Sequence, residues 1–175
     1  MQANLRLGRL NASAQAFQHA STIDPTEPLV ACRLGHVLAA AGEHAAAMVA
    51  LETALGAMDQ GLAMAQCARR DLGESLLEHG RAMAMQGAQA KALQLWARAE
   101  EVLTECLTRE PTWASCWKTL ADVEMERGNN DEARAHYQRV VCLEPWQALA
   151  WYDLGRLLEM EGGSDGGAGF VLVCG

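Results

Sequence analysis

The sequence predicts an all-α solenoid of helix-turn-helix repeats, and three observations point that way. The first is a fixed period: "WKTLADVEMERG" from Trp117 returns as "WYDLGRLLEMEGG" from Trp151, 34 residues later. Leu120 and Leu154, Gly128 and Gly162, and Pro111 and Pro145 keep the same spacing. The second is composition. Half of the 175 residues are hydrophobic and only 5% are aromatic. Good helix formers (Ala, Leu and Met) dominate, and the β-branched residues that a sheet favours are scarce. The third is punctuation, because Gly and Pro recur where a helical hairpin must turn and stop.

The unit 112–145 shows the reason for each element. Trp117, Leu120 and Glu124 share one helical face by their spacing, with Trp113 one turn earlier. Ala121 and Ala133 are small where two antiparallel helices must approach closely. Gly128 closes the first helix, "NNDE" supplies cap residues for the second, and Pro145 stops it. Residues 28–59 carry the same marks at Leu34, Gly35, Leu38, Gly42, Ala47, Leu51 and Ala54. In residues 1–25, Gly8, Ser13, Phe17, Ala20 and Pro25 stand 34 positions before Gly42, Ala47, Leu51, Ala54 and Asp59. That phase makes 1–25 a partial repeat, the second helix of a hairpin. The opening "MQANLRLGRLNASAQAFQHAS" lacks acids and carries Arg6 and Arg9, as a transit peptide would. The repeat phase is the preferred reading.

The middle breaks the period. Asp59 to Pro111 is 52 residues, one period plus 18. We read 60–111 as an irregular lengthened hairpin whose two helices turn around Gly87. Eighteen extra helical residues add about 27 Å of helix. Residues 146–162 then give the first helix of a further repeat. The tail 163–175, "GSDGGAGFVLVCG", has no amphipathic period, and each Gly costs roughly 1 kcal/mol inside a helix. It is expected to be disordered. The chain thus reads as a slice of a longer solenoid, cut at both ends. Leu154, Leu157 and Leu158 would then lack a paired second helix, and the chain would be only marginally stable.

Charge and motifs remove several function classes. A net charge of −8 without a Lys/Arg cluster disfavours direct nucleic-acid or anionic-membrane binding. No apolar run approaches the ~18 residues of a membrane span. Cys32, Cys67, Cys106, Cys116, Cys142 and Cys174 form no CxxC pair. Most sit in apolar helical stretches, where a thiol packs as a small hydrophobe, so a reducing, cytoplasmic compartment is the simplest inference. There is no HExxH, GxSxG, P-loop or GxGxxG motif. The histidines are scattered, and His136 is expected to be structural. Cys106 and Cys116 lack companion ligands, and Glu124 and Glu126 read as a solvated helix edge. No catalytic residue, metal site or cofactor is expected, and the chain is not read as an enzyme. What remains is surface. Stacked hairpins leave a concave groove lined by first helices, which suits peptides or other subunits. The candidate partner-binding residues there are Lys118, Asp122 and Met125 of one unit and Tyr152, Arg156 and Glu159 of the next.

Trp117, Leu120, Ala121, Ala133, Tyr137 and Pro145 resemble the tetratricopeptide pattern W-x2-L-G-x2-Y, A-x3-F, P. Some domains of that family clamp chaperone C-termini with Lys, Asn and Arg. Asp122 stands where the clamp wants Asn, so the resemblance does not reach it. The order of units is similar to the large tetratricopeptide subunit of the superkiller complex. Regular repeats are followed by the lengthened "LLEHGRAMAMQGAQAKALQLWARAEE" and then by Ser115-Cys116, Trp117-Lys118 and Asp122. That family usually has another residue between Cys and Trp. The likeness covers most of residues 1–160. It implies a scaffold that holds an RNA helicase and β-propeller subunits and feeds mRNA to the cytoplasmic exosome. The alternatives are a binding module attached to an enzyme of the glycosyltransferase or phosphatase type, and a chaperone adaptor. An organelle-targeted repeat protein acting on RNA is a further one, which the acidic balance opposes.

Overall fold

A computed structural model describes residues 2–58 and 63–162, and these are helical without any strand. The helices are α1 (Gln2–Ile23), α2 (Pro28–Ala41), α3 (His44–Ala57), α4 (Ala63–Met85), α5 (Gln89–Arg109), α6 (Ala114–Arg127), α7 (Asn130–Leu143) and α8 (Ala148–Gly162). The tail expected to be disordered, 163–175, lies outside the described residues. The chain divides into two compact units, the first ending at Val102 and the second beginning at Leu103. In the first, α1 packs on α2, α2 on α3, and α4 on both α2 and α3; in the second, α6 packs on α7 and α7 on α8.

Local chemistry sets the turns. Gly42, Gly87 and Gly128 have φ of 85°, 80° and 82°, the left-handed conformation that only Gly takes without a steric cost. At Gly128 the N–H donates to the Met125 carbonyl and the next N–H, of Asn129, donates to that of Glu124, which satisfies two orphan acceptors of the helix end. "NNDE" behaves differently from expectation. Asn129 is the N-cap of α7 but makes no side-chain cap bond; its Nδ2 donates to Glu124 Oε2 instead. That contact explains a second difference. Glu124, expected at a solvated edge, is only 3% exposed, and Arg127 Nη1 also donates to it at 3.1 Å.

The hairpins share a packing kernel that survives the broken period. Gly35, Gly42, Ala47, Leu51 and Ala54 correspond to Gly80, Gly87, Ala92, Trp96 and Ala99, with the same spacings. Ala121, Gly128, Ala133, Tyr137 and Val140 repeat them again. In each hairpin a small residue on the first helix faces a large one on the second. A Cβ added at Gly35 would fall 2.5 Å from Leu51 Cγ, and one at Gly80 would fall 2.7 Å from Trp96 Cδ1. Gly35 and Gly80 are 45 residues apart, and Gly80 and Ala121 are 41 apart, 11 and 7 more than the period of 34. Against α2 and α3, α4 has ten more residues before Gly80 and α5 has seven more after Ala99, about three and two turns of helix. The lengthened helices, with 23 residues in α4 and 21 in α5, therefore keep the same kernel and extend beyond it at the end of the hairpin away from Gly87.

Candidate partner-binding face

In the second unit, repeated contacts explain the repeated line of sequence. Trp117 Nε1 donates to the Pro111 carbonyl at 2.8 Å, and Trp151 Nε1 donates to the Pro145 carbonyl at 2.9 Å. Each indole thereby ties the start of its helix to the preceding turn. The Trp117 ring also lies against His136, with centroids 5.2 Å apart, which gives that histidine a structural place. Beneath them Ala121, Ala133, Tyr137, Val140, Val141, Ala150, Leu154 and Leu157 form one core. Leu154, Leu157 and Leu158 are the residues expected to lack a paired second helix, and the first two are nonetheless covered within this core. They are 1% and 0% exposed, because α7 supplies the surface they pack on.

The six candidate residues separate into two groups. Lys118 Nζ lies 2.9 Å from Asp122 Oδ2 on its own helix and 3.7 Å from Asp153 Oδ2 on α8. Asp122 also accepts a hydrogen bond from the Tyr137 hydroxyl, so its two oxygens serve α6 and α7. Met125 packs against the core. These three residues are therefore bound into the unit, and Asp122 and Met125 act mainly as cement between helices. The other three face solvent on α8. The Arg156 guanidinium sits 6.0 Å from the centre of the Tyr152 ring, a cation–π distance, and Glu159 is exposed beyond it.

Sequence reasoning passed over the apolar part of that face. Leu149 is 67% exposed, Tyr152 63% and Met160 59%, and with Arg156 their spacing of three, four and four places them on one stripe of α8. The signal was present in the helical period: the stripe lies opposite the buried Ala150, Leu154 and Leu157. It holds large apolar groups, one cation and one acid, a mixture suited to another protein surface.

Elsewhere the polar clusters are structural in form. On α4, Asp71 is buried; His36 Nδ1 lies 2.8 Å from its Oδ2, and Arg70 Nε donates to its Oδ1 at 2.9 Å. Burial lowers the Arg70 pKa, but the bonds to Asp71 outweigh it and hold the guanidinium above its ordinary value. Cys106 and Cys116 do meet, with sulfurs 3.0 Å apart and both fully buried. Among the described residues no three His, Cys, Asp or Glu side chains form a group able to hold a metal ion. No helix among them is long and apolar enough to cross a membrane.

Comparison with known proteins agrees with this architecture. The tetratricopeptide repeat family model matches residues 114–157, which is α6, α7 and most of α8. A crystal structure of MamA superposes with a TM-score of 0.70 at 19% identity, covering 89% of this chain and 80% of that one. A second MamA crystal structure gives 0.67 at 18% identity, covering 89% and 75%. At such identities the likeness is one of fold. The fold is all-α and of the tetratricopeptide solenoid class. No curated protein matches the chain.

Proposed function

We propose that this protein is an interaction module that holds a protein partner on the exposed stripe of α8, and that it carries out no chemistry of its own. The observation that carries this reading is the stripe itself: Leu149, Tyr152 and Met160 stand open beside Arg156 while the opposite side of the helix is buried. Exposed aromatic and Arg side chains are the residue types that anchor protein interfaces. The repeat positions of α6 and α7, in contrast, are engaged in helix packing and internal ion pairs.

The test is affinity capture of the tagged protein from its own cells, with Tyr152→Ser/Arg156→Glu alongside. A protein recovered by the wild type and lost by the double variant supports the reading; recovery indifferent to the variant removes it. The finer reading, a superkiller-type scaffold in cytoplasmic mRNA decay, is supported by the sequence resemblance, above all by the lengthened unit and the Ser115–Lys118 segment. It requires an RNA helicase and a β-propeller protein among the captured partners. A chaperone, or a transferase or phosphatase, captured without them would favour the alternative instead.

A further inference from the structure

The first unit contains a cavity of about 410 Å³ between α3, α4 and α5. We propose that it is a second docking site, for a short acidic peptide segment anchored by one bulky apolar side chain. Its apolar wall is Met48 of α3, Leu76 and Met83 of α4, and Leu95 of α5. The two methionines are unbranched and polarizable, so they can fit a ring or an aliphatic chain without a fixed template. Leu76 is 1% exposed and forms a firm floor.

The charged wall has the opposite sign to the chain as a whole. Within a protein of net charge −8, the cavity is bordered by two cations, Lys91 and Arg98, against the single carboxylate of Glu52, with His79 as a further polar group. Arg98 pairs with Glu101 at 2.8 Å, but both side chains are more than half exposed, at 55% and 67%. An exposed pair of this kind contributes little and exchanges readily for a ligand carboxylate. Lys91 and Arg98 are seven residues apart on α5, as are Leu76 and Met83 on α4. Each row therefore runs about 10 Å along its helix. The occupant that matches is a few residues long, with an apolar anchor between acids. A nucleic acid fits less well, because no Phe, Tyr or Trp lines the cavity for a base to stack on. This site uses different helices from the α8 stripe and does not rest on that reading.

Fluorescence anisotropy of the whole chain tests the proposal, using a labelled Asp-Glu-Leu-Phe-Asp-Glu peptide at protein concentrations up to about 1 mM. Saturable binding is expected, weakened about tenfold or more by Lys91→Glu/Arg98→Glu with the circular-dichroism melt unchanged. The wild-type chain gives a second readout that needs no variant: the Met48 and Met83 methyl resonances should shift on titration. No binding, equal binding of a peptide with Leu and Phe replaced by Ser, or unmoved methionine methyls would overturn the site. Tighter, Lys91-dependent binding of oligouridine would overturn it in favour of nucleic acid.

Discussion

Gly80 and Trp96 pack so closely that neither can change alone. A Cβ at residue 80 would lie 2.7 Å from Trp96 Cδ1 and closer still to Nε1, whose N–H donates to the Leu77 carbonyl at 3.3 Å. Trp96 is 2% exposed, so the indole has nowhere to go. Gly80→Ala should therefore destabilise the first unit by about 1–3 kcal/mol through overpacking. Gly155 of α8 has nothing within 4 Å of an added Cβ. There, Ala should stabilise by up to about 1 kcal/mol through helix propensity. Urea unfolding followed by circular dichroism measures both, and a harmless Gly80→Ala would contradict the kernel.

Gly87 isolates the backbone contribution. Its φ of +80° is costly for any side chain, yet an added Cβ would meet no atom within 4 Å. Gly87→Ala should cost about 1 kcal/mol, the conformational penalty alone. The midpoint in urea should fall by less than for Gly80→Ala.

Tyr137→Phe removes the donor to Asp122 and leaves the Asp122–Lys118–Asp153 chain without its anchor on α7. A hydrogen bond to a carboxylate contributes about 1.5–3 kcal/mol. The variant should lose stability in that range and keep its helical spectrum. A silent substitution would mean that the hydroxyl is equally satisfied by solvent.

Thiol chemistry should report burial. Cys67 is exposed, whereas Cys32, Cys106 and Cys116 are buried. Burial first, and then the nearby Asp71 charge, pushes the Cys32 thiol above its ordinary pKa. The folded state therefore favours the neutral thiol. That stability is complete below the ordinary thiol range and is lost as pH rises through it toward the raised value. Iodoacetamide labelling read by mass spectrometry should modify Cys67 first, with Cys32 lagging until pH is raised or the chain unfolds.

Much of the fold was written in the period, and what escaped has physical causes. The α6–α7 hairpin was legible because Trp117, Leu120, Ala121, Gly128 and Tyr137 all keep their places. The α4–α5 hairpin looked irregular because inserts of 11 and 7 residues displace its marks from a fixed period. Both fall outside the kernel, before Gly80 and after Ala99, so the spacing within the hairpin is unaffected while the linear period is lost. Side-chain roles were harder to read. Glu124 reads as solvated from its spacing alone, whereas in the fold Asn129 and Arg127 close over it. Met125 reads as available on the first-helix face, whereas the core reaches it. Leu149 and Met160 are set apart only by tertiary packing, because α7 covers the other side of α8.

The central claim is that the α8 stripe holds a protein partner, and titration calorimetry of the purified chain against the captured partner tests it most directly. The wild type should bind, and Tyr152→Ser/Arg156→Glu should lower the affinity by about tenfold or more, as loss of an aromatic and Arg anchor does. Equal affinity for the folded double variant would contradict the claim.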